Sequence, residues 1–347
     1  MPDRTDLGAG IQPRTAVRVR LAWTVAGFGT IAVLACLLAP LVGSTPIRLS
    51  AVFDRTMPYA DNIDAQIFFV ARLPRVLAGG LVGATLAAAG VVLQALLRNP
   101  LATPFTLGVS AGASLGAMLA VTMRLELSVL GITSIPLASF AGSLVATAIV
   151  YALASSQRRG LSTNVLLLAG VTLNAFFSAL ILFVQYLADF AEALRAIRWM
   201  MGGLDVASYV PIVAALPLIF ISFGAFAMMT RTLNLLSVGT EAAAARGVNI
   251  VGAQRLAFIS ASLATGAAVS LGGPIGFIGI IVPHLVRLMI GSDHRIVLPA
   301  SALFGAAFLV LCDLAARTVM SPLEIPVGVV TALIGGPFFL WLLVKRS

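Results

Sequence analysis

The chain has 347 residues, 60% of them hydrophobic and only 10% charged, where a soluble domain carries about a quarter charged residues. No hydrophilic stretch is long enough to build a soluble domain. The formal charge of +9 lies on arginines that flank apolar runs, so it gives no reason to expect nucleic acid.

Runs of about 20 apolar residues cross a bilayer core as helices. Ten occur, near 21–42, 74–96, 105–123, 135–155, 163–187, 210–230, 254–272, 276–291, 296–317 and 326–344. They predict an all-α polytopic membrane protein in lipid. The expected division is a cytoplasmic tail, 1–20, and a single transmembrane domain, 21–346. Arg14, Arg18 and Arg20 before the first run imitate an export signal, and "VLAC" imitates a lipoprotein cleavage box ending at Cys36. The run continues through "LLAPLV", so it reads as an uncleaved span. Cys36 and Cys312 lie inside apolar runs without metal-ligand neighbours and read as small hydrophobes.

The third run contains Gly108-Val109-Ser110-Ala111-Gly112, the G-x-S-x-G of serine hydrolases. That chemistry needs a strand-to-helix turn and a histidine partner. The histidines are His284 and His294, both near the inner end of the eighth run. On an apolar helix, Gly108, Gly112 and Gly116 instead form a seam of small residues four apart, which lets helix backbones approach in lipid. Gly79 with Gly83, and Gly272 with Gly276, repeat the spacing.

Between the sixth and seventh runs lies "RTLNLLSVGTEAAAARGVNIVGAQR", 231–255, longer than most connections. Gly239 makes a turn, Thr240 can cap a helix, Glu241 suits its N-terminus and Gly247 can end it. The expectation is a short helix-turn-helix outside the membrane that docks a partner. The eighth run is short, and "GGPIGFIGIIVPH" predicts interrupted backbone buried in protein or along a path. Segments 81–97 and 259–275 share a small-residue texture and run oppositely, a possible inverted repeat.

Ten spans place both termini on one side. With the termini inside, the inner segments hold 14 basic and 4 acidic residues, net 14 − 4 = +10, and the outer ones 8 and 9, net 8 − 9 = −1. The positive-inside rule makes both termini cytoplasmic.

The only lysine is Lys345, so no G-x-x-x-x-G-K-[ST] phosphate loop exists and the chain cannot hydrolyse ATP that way. There is no HExxH or CxxC, no expected metal site, and no dinucleotide fingerprint. A carrier driven by ions places an acid or histidine at mid-membrane. Here Asp189, Glu192, Asp313 and Glu324 fall near outer ends and His284 near an inner one. A path with few ionisable groups fits energy supplied by a partner.

"ARLPRVLAG", "LQALLRNPLATPFTLGVSAGAS", "LSTNVLLLAGVTLNA", "WMMGG", "LLSVGTEAAAARGVN", "GPIGFIGIIVPHLVRL", "DHRIVLPASALFGA" and "EIPVGVVTALIGGPFFLWLL" stand in an order that resembles one family. These are the membrane permeases of ABC importers for iron–siderophores, haem and cobalamin, the FecCD-like permeases of the type II importer fold. The likeness covers roughly 20–346. It implies ten helices, a homodimer with the path on its axis, and two cytoplasmic ATPase subunits. Those subunits bind ATP and Mg, so no cofactor is expected in this chain. It also implies an outer substrate-binding protein and a prokaryotic inner membrane.

The resemblance assigns ATPase docking to the loop 231–253, with Gly239, Glu241, Ala242, Arg246 and Gly247. "RLPR" resembles the arginines that meet acids on the binding protein, here Arg72 and Arg75, with Arg317 as a third; the alternatives are lipid snorkelling, or for Arg317 a pair with Asp313 one turn back. "RNPLA" and "LSTN" resemble the cytoplasmic gate, which points to Asn99, Leu101, Thr163 and Asn164. Ser162 or Thr163 is also a good N-cap. Gly108, Ser110 and Gly112 fall beside the path, with no catalytic role.

The outer stretch with Gln185, Tyr186, Arg195, Arg198, Trp199, Met200 and Met201 suits a bulky, partly apolar, anionic cargo, or else an interfacial belt. Ferric siderophore is the expected cargo, with haem and cobalamin open. An ion-driven carrier, a Ser110 hydrolase and an exporter are the competing classes.

Overall fold

The computed structural model describes residues 14–54, 56, 58–155, 161–206 and 208–346. Residues 1–13 of the expected tail, together with Arg158 and Arg159, lie outside the described residues. The helices are α1 (Arg14–Leu38), α2 (Leu49–Val52), α3 (Ile63–Gln66), α4 (Leu73–Leu97), α5 (Val109–Thr122), α6 (Ser134–Ser155) and α7 (Thr163–Leu187). There follow α8 (Phe190–Met200), α9 (Val210–Val238), α10 (Thr240–Ala245), α11 (Ile250–Gly272), α12 (Ile278–Ile290), α13 (His294–Thr318) and α14 (Val327–Arg346). Among the described residues, 7 helices are long and apolar enough to cross a membrane. Val109–Thr122, Ile278–Ile290 and Val327–Trp341 are shorter apolar helices, and together these match the ten expected passes.

The chain departs from expectation where helices exceed their apolar runs. Helix α1 begins at Arg14, so the described part of the 1–20 stretch is helical. The second pass begins at Ile63, because α3 runs through a π-helical turn, Ile67–Arg72, into α4. The fifth pass breaks at Ala188, and α8 restarts with a capping box in which the Asp189 side chain accepts from the Glu192 N–H and Glu192 reaches back. Outside lies a β-pair, β1 (Ser128–Val129) with β2 (Ile132–Thr133), closed by Leu130 and Gly131 at φ 52° and 80°, as a two-residue hairpin turn requires.

α4 is the centre. It packs against α13, α11, α12 and α9, and 78% of its apolar window is buried, against 17% for α1. A helix of Ala, Gly, Val and Leu on all sides has no polar face to show. Lipid gives helices no hydrophobic drive to associate, so close backbone approach must hold them. Glycines allow it. A Cβ on Gly83 would collide with the Gly305 carbonyl of α13, and one on Gly90 with the Gly279 carbonyl of α12. On α5, Gly112 and Gly116 meet Gly142 and Ala138 of α6. Gly108 stands outside the helix. It is the N-cap of α5 at φ 78°, facing Gly170 and Leu173 of α7. Gly276 also lies off the helices, with no atom within 4 Å of a built Cβ, so Gly272 and Gly276 form no helical seam.

The backbone from Gly273 to Phe277 is non-helical, with Phe277 at φ 67°, as the glycine and proline run predicts. The segments 81–97 and 259–275 lie on neighbouring helices, α4 and α11. Gly90→Val, which places a branched side chain against the Gly279 carbonyl, is expected to cost about 1–3 kcal/mol or more from overpacking. A melting curve of the detergent-purified chain checks this, with Gly224→Ala, where a Cβ meets nothing within 4 Å, expected to melt like the starting protein.

Candidate functional site

The inner face begins where α9 passes the end of its apolar run and stays helical through Val238. The predicted helix-turn-helix therefore reduces to this extension plus the six-residue α10. Gly239, at φ 149°, is the N-cap, and no side chain caps the helix, so Thr240 is its first residue and not its cap. At the other end, the Gly247 N–H donates to the Ala244 carbonyl at 2.9 Å and the Val248 N–H to the Ala243 carbonyl at 3.1 Å. That pair of bonds is a Schellman motif, and Gly247 takes the left-handed φ of 81° it needs. Ala243 is fully buried and anchors α10, Ala242 is half-buried, and Glu241, Arg246 and Gly247 are exposed. The result is a rigid shelf with a charge at each end.

The shelf is tied to the next inner turn. Asn234, on the extension of α9, donates to Asp293 Oδ1 at 2.8 Å and accepts from the His294 N–H at 2.8 Å. Arg295 holds the same carboxylate at 2.6 Å. Partial burial raises the Asp293 pKa, but hydrogen bonds from Arg295 and Asn234 prevail and hold it down to about 2. The spacing D-H-R at a helix start signals Asp293 as a cap. Nothing in the sequence pairs it with Asn234.

At the predicted gate, Arg98 ends α4 at φ 49°, and Asn99 Oδ1 accepts from the Leu101 N–H at 2.9 Å. Leu101 is exposed. The turn that follows rests on α7, where the Asn174 amide donates to the Phe105 carbonyl at 2.7 Å and Gly170 lets Thr106 approach. Ser162 caps α7, so Thr163 and Asn164 occupy its first turn. Asn164 is exposed and Thr163 half-buried. Ser110 is buried in the first turn of α5. The strands among the described residues are β1 and β2 alone, so no strand leads into Ser110 and the hydrolase elbow is missing.

The outer arginines find partners within the chain. Arg72, Arg75 and Arg317 do not present guanidinium groups to solvent. Arg72 is buried and donates to the carbonyls of Pro40, at 3.1 Å, and Thr45. Arg75 grips Asp313 at 2.9 Å, Asp205 at 2.8 Å and Glu324 at 2.7 Å. Arg317 pairs with Asp313 at 3.1 Å across one helical turn. Arginine's fork satisfies several acceptors at once, and a charge placed next to lipid and protein takes the nearest ones. The network joins the start of α4, the end of α13, the 39–45 turn and two outer loops. The i, i+4 spacing of Asp313 and Arg317 was visible in the sequence; the parts of Asp205 and Glu324, more than a hundred residues from Arg75, were not.

Further along the outer face, Gln185 reaches Met200 Sδ at 3.9 Å and Tyr186 is exposed. Among the described residues, no group of three His, Cys, Asp or Glu is placed to hold a metal. Asp313 is almost fully buried. Arg75→Ala would leave its carboxylate short of its main partner, at an expected cost of about 3–5 kcal/mol. Thermal unfolding of Arg75→Ala against Arg75→Ala/Asp313→Asn measures it, and removing the carboxylate is expected to recover part of the loss.

The family model of the FecCD transport family matches residues 31–345. The chain is 38% identical over 321 residues to the hemin transport system permease protein HmuU of Yersinia pestis, across 92% of this chain and 95% of that one. It is 44% identical over 276 residues to the cobalamin import system permease protein BtuC of Halobacterium salinarum, across 80% and 73%. It superposes with a TM-score of 0.78 and 30% identity on a solved structure assigned to the metal-chelate type of ABC transporter, in an inward-facing conformation, covering 94% of this chain and 99% of that one. With ten helical passes around α4 and a family match over nearly its whole length, this chain belongs to the FecCD transport family.

Proposed function

We propose that the chain is the permease subunit of a binding-protein-dependent ABC importer in a prokaryotic inner membrane. It moves a metal chelate, a ferric siderophore, into the cytoplasm. A second copy completes the path. Two cytoplasmic ATPase subunits, which hold the ATP and Mg, supply the energy, and an outer binding protein delivers the cargo. The observation that carries this reading is the exposed shelf from Gly239 to Gly247 on a chain with no phosphate loop.

The shelf is the ATPase dock. Its Schellman end and anchored Ala243 make it stiff enough to transmit a push, and Asn234 passes that push to the turn before α13. Asn99, Leu101, Thr163 and Asn164 form the inner gate, since they stand at short turns on the inner ends of α4 and α7. The binding protein docks on an outer face whose shape Arg72, Arg75 and Arg317 hold from beneath. Gly108, Ser110 and Gly112 pack α5 in place beside the path.

Named relatives carry haem and cobalamin, and the solved neighbour is of a metal-chelate type. The shared chemistry is a bulky metal chelate, which Tyr186, Met200 and Met201 suit. The match to a hemin permease favours haem as the second reading. Uptake of labelled ferric siderophore, haem and cobalamin by cells lacking and regaining the chain separates them. The siderophore alone should be restored, and only while ATP is present at fixed membrane potential.

Glu241→Lys and Arg246→Glu are expected to cut uptake at least tenfold without lowering the amount of folded chain in the membrane. Normal uptake in both removes the dock from the shelf. Asn234→Ala is expected to keep ATPase subunits bound, by co-purification, while the cargo moved per ATP hydrolysed falls several-fold.

A further inference from the structure

Two cavities meet at the outer ends of α6, α9 and α11. One, of about 420 Å³, is bordered by Arg195, Arg198 and Trp199 of α8, Thr133 of β2 and Asp205. The other, of about 240 Å³, runs deeper as an apolar slot between Leu137 and Phe140 of α6, Ala214 and Leu218 of α9, and Ala267 of α11. They share Pro136, Pro211, Ser270 and Leu271 as common walls, so the polar chamber opens into the slot.

The charges in the chamber do not cancel. Asp205 is held by Arg75. Asp189 and Glu192, at the start of α8, are held by Arg124. Arg195 and Arg198, three residues apart on one face of α8, make no ion pair or hydrogen bond among the described residues and are exposed. Two free guanidinium groups thus stand at the mouth of an apolar slot. Trp199 beside them marks the depth of lipid headgroups, where tryptophan is enriched. Around the same α8, Phe190, Leu194 and Ile197 are exposed, as on an amphipathic helix lying in the interface. The outward faces of α6 and α9 carry exposed Leu144, Val145, Val213 and Phe220.

We propose that this paired cavity is a binding site for an anionic glycerophospholipid of the outer leaflet, with its phosphate on Arg195 and Arg198 and one acyl chain in the slot between α6, α9 and α11. Charge complementarity selects the occupant. A water-soluble anion would leave the slot empty, and a neutral lipid would leave two arginines unmatched. The site needs only that the chain spans a membrane, and it requires that the cargo does not occupy this chamber.

The test uses Trp199 as the reporter, in the full-length chain carrying Trp23→Phe and Trp341→Phe, purified in detergent. Phosphatidylglycerol and phosphatidylcholine with dibrominated acyl chains are titrated as quenchers. Half-quenching is expected at about a thirtyfold lower mole fraction of phosphatidylglycerol, as two arginines near a headgroup would give. Arg195→Gln/Arg198→Gln should erase that preference. Ala214→Phe, which fills the slot, should weaken quenching by both lipids while the arginines remain. Equal quenching by the two lipids in the starting protein would overturn the site, as would a preference that survives the double glutamine variant. Relief of quenching by an unlabelled ferric siderophore would assign the chamber to the cargo and overturn the lipid.

Discussion

Everything in this molecule depends on how closely other helices can approach α4. In lipid there is no hydrophobic gain from pressing two apolar helices together, so the gain must come from contact itself. Gly83 on Gly305 and Gly90 on Gly279 bring backbones to a distance that no side chain permits. With α4 fixed in this way, its two ends become fixed points. Its outer end carries Arg72 and Arg75 into the ion network. At its inner end, Gln94 bonds to the Gly279 carbonyl and to Arg287, just before the turn at Asn99. One buried helix thus sets the geometry of both faces.

The passes were legible because hydrophobic length is a direct physical requirement of crossing a bilayer. The break before α12 and the stop at Gly247 were legible for a similar reason, since glycine takes the positive φ found at Gly273 and Gly247 without strain. Three things were not. The cap of α10 fell to Gly239 and not to Thr240, because α9 ran on as a helix and delivered the chain at a backbone angle that suits glycine. The outer helices α3 and α8 hid beside apolar runs. The partners of the outer arginines were hidden because "RLPR" carries no sign of them, and Arg75 finds its acids through the fold of the chain.

Buried ion pairs contribute less to stability than their geometry implies, but breaking one is costly. The cluster around Asp313 therefore acts as a lock that holds α4, α13 and two loops in one arrangement. On the inner side, Asn234 plays the matching part between the shelf and the turn before α13. Since α13 runs from Asp293 to the outer lock at Asp313 and Arg317, a displacement at the shelf has a continuous helix along which to reach the outside. In the proposed importer, a chain without a phosphate loop and with few charges along its spans would gain motion through such contacts.

The reading of this chain as a path whose energy comes from a separate ATPase can be tested directly. It is tested by reconstituting the full-length chain into proteoliposomes with its ATPase and binding protein, and into others alone, at zero membrane potential and without ion gradients. Ferric siderophore is expected to accumulate only in the complete assembly and only with ATP. Accumulation by the chain alone, driven by an imposed ion gradient and indifferent to ATP, would contradict it.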